Sequence, residues 1–86
     1  MNTSKHHLKQ LVEHLLCEET PQQMEAALRA LLTDSELDEI TKRLQIFKRL
    51  QAGYPQRQIA EELGVGIATV TRGSNALKRL PTHTQF

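Results

Sequence analysis

The chain has 86 residues, with 11 Lys or Arg against 10 Asp or Glu and a single cysteine. That length permits one domain spanning 1–86. With no Trp, one Tyr and two Phe its core has to be built mainly from leucine, so one copy alone is marginal and burial shared between two copies is expected. One cysteine excludes an internal disulfide framework, a net charge of +1 weakens any argument from bulk electrostatics, and the lack of a long apolar run or signal peptide predicts a soluble cytoplasmic protein.

Residues 1 to 5 are polar and are expected to fray. Leu8, Leu11, Val12, Leu15 and Leu16 then recur at helical spacing and predict a first helix with one apolar stripe, ending near Glu19. Thr20-Pro21-Gln22-Gln23 is a start signal, with Thr20 as N-cap, Pro21 at the first helical position and Gln23 placed to close a capping box. Met24, Ala27, Leu28, Leu31 and Leu32 form the apolar face of the second helix. Thr33 and Glu36 repeat the box, and Leu37, Ile40, Leu44, Phe47 and Leu50 carry a third helix from Asp34 to Ala52, where Gly53 stops it.

After Tyr54-Pro55 two short helices follow, Gln56 to Leu63 and one opening at Ile67, joined at Gly64. Ile59, Leu63, Val65 and Val70 supply their apolar positions, and Ala60 is small enough for the pair to cross closely. Gly64 suits the left-handed residue after a helix, where a side chain would clash. This is the pattern of a helix-turn-helix, whose second helix presents its N-terminal turn to the major groove of DNA. Gly66, Ile67, Ala68 and Thr69 are small enough for that approach, Thr71 and Lys78 offer a hydroxyl and a cation to phosphates, and Gln56 and Arg57 start the first helix at the groove-facing end. Over residues 55–86 Arg57, Arg72, Lys78 and Arg79 face only Glu61 and Glu62, so the modest attraction for phosphate is concentrated there. Leu80-Pro81 ends regular structure; no strand and no internal repeat is predicted.

The run Glu62-Leu63-Gly64-Val65-Gly66-Ile67-Ala68-Thr69-Val70-Thr71-Arg72-Gly73-Ser74-Asn75-Ala76-Leu77-Lys78 resembles the helix-turn-helix of the bacterial Trp repressor family, and the likeness extends back through Gln56-Arg57 and, more loosely, to Leu32-Thr33 and Arg43. The resemblance implies an all-α fold of five helices here, an intertwined homodimer in which residues 3–53 build the shared core and 55–79 form the DNA-reading head. It also implies a palindromic operator as partner, and L-tryptophan as corepressor between core and head. The same resemblance implies base contacts that run largely through water.

By the same resemblance the indole stacks between guanidinium groups that correspond to Arg43 and Arg72. Arg72 meets the ligand carboxylate, and Thr33 with the backbone carbonyls of Ala30 and Leu32 meets its polar groups. Stacking and a bidentate fork are what a planar guanidinium offers. Gly73, inside a helix at a cost of about 1 kcal/mol relative to alanine, implies a close approach to the backbone, by resemblance that of the corepressor. Where the family commonly has a serine beside the ligand amino group, the sequence has Ala76. The chain is one residue shorter between Gly53 and Leu63, has Ala60 where a lysine is familiar, and ends soon after Pro81, where the family usually adds a last helix.

Simpler explanations stand beside these. Thr33 is fully accounted for as an N-cap, Arg43 as a solvated charge, Gln56 and Arg57 as a solvated helix start, and the helix pair as a protein-interaction module. His6, His7, His14 and His83 lack metal-ligand spacing with Cys17, which fits a small core or interface residue. No metal site and no catalytic constellation of nucleophile, base and orienter is predicted, so the chain does not read as an enzyme. The leading expectation is a tryptophan-activated repressor; the first alternative is a related DNA-binding regulator that is ligand-independent or uses another ligand.

Overall fold

A computed structural model describes residues 2–86. It is built of five helices, α1 (Asn2–Leu16), α2 (Pro21–Leu31), α3 (Asp34–Gln51), α4 (Gln56–Leu63) and α5 (Ile67–Lys78), with no strand among the described residues. The all-α expectation holds. No described helix is long and apolar enough to cross a membrane. Contacts divide the chain into two compact units, with the boundary inside α3 between Leu37 and Asp38.

In the first unit, α1 starts earlier than its apolar stripe, at Asn2, and stops at Leu16 rather than near Glu19. Once a helix is nucleated by the stripe, each polar residue added gains a backbone hydrogen bond, which carries α1 through residues expected to fray; that expectation at Met1 lies outside the described residues. Beyond Leu16 the chain is held by two short turns, Cys17 N–H to His14 O (3.0 Å) and Glu18 N–H to Leu15 O (3.2 Å). Cys17 is exposed within the chain rather than enclosed.

Thr20 caps α2 through Oγ1, which accepts from Gln23 N–H at 3.1 Å. The reciprocal bond is shifted by one residue, because Gln23 Oε1 accepts from the N–H of Glu19, at 3.0 Å, rather than from that of Thr20. At α3 the box is complete: Thr33 Oγ1 accepts from Glu36 N–H (3.1 Å) and Glu36 Oε1 accepts from Thr33 N–H (2.9 Å). Hydrogen bonding of the Glu36 carboxyl by the Thr33 backbone N–H first, and by the Thr33 hydroxyl second, holds it below the ordinary glutamate range.

The second unit has its own core. Ile46 of α3, Ile59 and Ala60 of α4 and Val70 of α5 are buried, with Leu50, Leu63 and Val65 packed against them. α3 closes in a Schellman turn: Gly53 sits at φ 91°, its N–H donates to Leu50 O (3.0 Å), and Tyr54 N–H reaches Arg49 O (3.1 Å). Arg49 then ties α3 to α4 through Glu62 (3.3 Å), with Gln45 and Gln58 bonded to the same pair.

The tail after α5 adds no helix but is anchored within this unit. Gln51 donates through Nε2 to Thr84 O (2.9 Å) and accepts from Phe86 N–H through Oε1 (3.0 Å), while the Phe86 ring lies 4.8 Å from that of Phe47.

Candidate functional site: a reading face and a cavity beneath it

The turn between α4 and α5 is made by Gly64, at φ 66° and ψ 36°, with Val65 N–H donating to Ala60 O at 3.1 Å. This is the left-handed residue that its glycine permits. Neither α4, preceded by Pro55, nor α5, preceded by Gly66, has a side-chain cap, so their leading N–H groups are open to an outside acceptor such as phosphate.

The residues singled out for DNA fall into two places. Gly66, Ile67 and Ala68 form the exposed first turn of α5, with Ile67 about half exposed. Gln56 and Thr71 join them, because the Thr71 hydroxyl lies 2.8 Å from Gln56 Oε1 and 3.1 Å from Ile67 O and has one proton to give to either. Arg57 is exposed beside Gln56. Lys78 ends α5, roughly 16 Å along the axis from Ile67 at 1.5 Å per residue. It lines a second cavity of about 260 Å³ beside Gln51 and the tail, apart from that first turn.

Thr69 has a second neighbourhood. Its Oγ1 accepts from Arg72 Nη2 at 3.3 Å, and both residues line a cavity of about 410 Å³ between α3 and the α4–α5 turn. Gly73 and Ala76 of α5 and Arg43 of α3 share its wall, so four of the seven residues nominated for a ligand meet there. Ala30, Leu32 and Thr33 belong to the first unit, where Thr33 serves as the α3 cap.

A Cβ on Gly73 would stand 2.8 Å from Ile46 Cγ2. The close approach that a helical glycine implied is therefore that of the buried Ile46 side chain, and α5 crosses α3 at this point whatever fills the cavity.

Asp38, Glu39, Lys42, Ile46 and Val65 also line the cavity and were not singled out for a ligand from the sequence. A signal for four of them was present. Once Arg43 is placed on a ligand-facing side of α3, the residues four and five before it, the one just before it, and the one three after it lie along the same broad face. The result is an apolar floor of Ile46, Val65, Gly73 and Ala76 beneath a rim of two guanidinium groups, one ammonium and two carboxylates. Such a lining suits a small molecule that has both an apolar part and a charged part.

Comparison with known proteins agrees in kind. The family model described as Trp repressor protein matches residues 6–85. The chain is 46% identical over 71 residues to a "Trp operon repressor homolog" of Vibrio parahaemolyticus, covering 81% of this chain and 69% of that one. It is similar at the same identity to the homolog of Vibrio campbellii, and 40% identical over 78 residues to that of Photobacterium profundum, there covering 90% of this chain and 76% of the relative.

Proposed function

The chain belongs to the Trp repressor family, and from that premise we propose that it is a transcriptional repressor that binds a palindromic operator as a homodimer when L-tryptophan fills the 410 Å³ cavity. Family membership supports reading it as a regulator rather than an enzyme. The observation that carries the ligand reading is the meeting of Arg43, Arg72, Gly73 and Ala76 around one apolar floor.

In this reading the indole lies on Ile46 and Val65 between the Arg43 and Arg72 planes, and Arg72 forks to the ligand carboxylate. The cavity has α3 on one side and α5 on the other, so its occupant favours one setting of α5 on α3 over the alternatives. That setting brings the first turns of two α5 helices to the separation of successive major grooves, roughly 34 Å for helix-turn-helix dimers, of which Trp repressor is a standard example. Gly66, Ile67, Ala68 and Thr69 approach base edges, the Gln56–Thr71 pair and Arg57 hold the register on the backbone, and Lys78 reaches phosphate from the far end of α5.

Dimerisation through residues 3–53 is supported by the apolar stripe of α1. Leu8 is 60%, Val12 47% and Leu16 80% exposed in the single chain, and about 1.5–3 kcal/mol per side chain is gained when such groups leave water.

The chain contains no Trp, so the fluorescence of added tryptophan reports its own binding. A saturable change is expected, together with tryptophan-dependent retention of a palindromic duplex. A flat titration at millimolar tryptophan would remove the corepressor, and duplex binding that is equal with and without it would leave a ligand-independent regulator.

A further inference from the structure

A Cβ on Gly73 would stand 3.8 Å from Phe47 Cε1, so the Phe47 ring flanks the point where α5 crosses α3 on Ile46. The 410 Å³ cavity runs along α5 as far as Ala76, and the next two residues, Leu77 and Lys78, line the 260 Å³ cavity with Gln51 and the tail. After α5 the chain turns twice, Leu80 N–H donating to Leu77 O (3.1 Å) and Thr84 N–H to Pro81 O (3.0 Å). It thereby returns to the last residue of α3, where Gln51 commits both ends of its amide to the backbone of Thr84 and Phe86, and the Phe86 ring comes to rest on Phe47. Phe47 thus neighbours both the tail and the crossing of α5 on α3.

We propose that the tail, residues 81–86, is a strap that fixes the setting of α5 on α3, with Gln51 as the positioning residue that fastens it, so that strap docking and filling of the 410 Å³ cavity favour each other. A crossing held at one close contact lets a helix tilt about it. Leu77 lies four residues beyond Gly73, about 6 Å along the axis, so a hold at that end resists the tilt. The wall that Arg72, Gly73 and Ala76 give to the cavity is then set before a ligand arrives, which lowers the cost of binding it. Coupling of this kind is reciprocal, and an occupant of the cavity tightens the strap in turn. The ligand, tryptophan, is taken from the corepressor reading above; the strap itself is not.

The test uses the full chain, its Gln51→Ala and Phe86→Ala variants, and Phe86→Leu, which keeps an apolar contact with Phe47. None of the three touches the buried Ile46, Ile59 or Val70. Without ligand, amide hydrogen exchange over residues 70–73 is expected to be faster in the two alanine variants than in the parent and to recover in Phe86→Leu. Tryptophan, followed by its fluorescence, is expected to bind about fivefold more weakly to the alanine variants, and to slow exchange of Phe86 N–H in the parent. Unchanged tryptophan affinity in both alanine variants overturns the strap and leaves the corepressor reading intact. Failure of the parent to bind tryptophan overturns the corepressor reading; the strap is then decided by exchange alone, and equal protection of residues 70–73 in parent and alanine variants overturns it.

Discussion

The two units of the chain solve the burial problem differently. In the second unit Ile46, Ile59 and Val70 are at most 2% exposed, and the Gly53 and Gly64 turns set the helix ends. In the first, no described residue of α1 or α2 is buried, and the stripe that makes α1 amphipathic remains largely in water. The sequence pattern of the two is equally regular, so periodicity alone does not say where the partner of an apolar face lies. The second unit covers its own apolar residues, and the α1 stripe of the first is the surface that the proposed homodimer would bury.

The sharpest probe of the self-sufficient unit is Ile59→Ala. Ile59 is fully buried where α4 meets the core, and truncation is expected to lower stability by about 2–5 kcal/mol in thermal or denaturant unfolding, by an amount that follows from the cavity left behind. Leu16→Ala tests the other side of the contrast. At 80% exposure in the single chain the change is expected to fall within about 0.5 kcal/mol if the stripe stays solvated. Burial by a second copy raises the loss to about 1.5–3 kcal/mol and makes the melting midpoint rise with protein concentration. A concentration-independent midpoint in the parent, with a silent Leu16→Ala, would break the dimer reading of α1.

Gly73→Ala sharpens the contrast at the seam between α3 and α5. The added Cβ meets Ile46 Cγ2 at 2.8 Å, and overpacking of that kind costs about 1–3 kcal/mol, offset by about 1 kcal/mol of helix propensity. A net loss of about 1 kcal/mol is expected in urea unfolding. A gain in stability would mean that Ile46 yields without strain and that the glycine answers to something other than packing.

These positions also mark what could be read without coordinates. The bounds of α4 and the start of α5 follow from local chemistry, Gly64 for the left-handed turn and Ile59, Leu63 and Val70 for the buried face, and the structure reproduces them. Both ends of α1 differ from expectation because nothing in its polar first residues or in Cys17-Glu18-Glu19 fixes a boundary. Contacts between residues distant in sequence were out of reach: a glycine declares that something is near but not that it is Ile46, and no periodicity links Gln51 to Thr84 and Phe86. The cavity rim was half visible. Arg43 and Arg72 came from family likeness, whereas Glu39 and Lys42 needed the turn of α3 to bring them alongside.

The smallest effects belong to the one place where local chemistry was complete, the capping box at the head of α3. Thr33→Ala removes the oxygen that accepts from Glu36 N–H and is expected to lower stability by about 1 kcal/mol. Glu36 adds a pH signature to the same box. Its folded carboxyl is held below the ordinary range by the Thr33 backbone bond first and the hydroxyl second, so its contribution is present above the unfolded value and is lost as the pH falls from there through the folded one. Glu36→Gln keeps an acceptor oxygen for Thr33 N–H but has no proton to take up. The difference in stability between the parent and Glu36→Gln is therefore expected to be steady near neutrality and to shift against the parent on acidification below the ordinary glutamate range, and parallel stability curves across that range would mean that the ionised carboxylate gives the cap nothing that an amide does not.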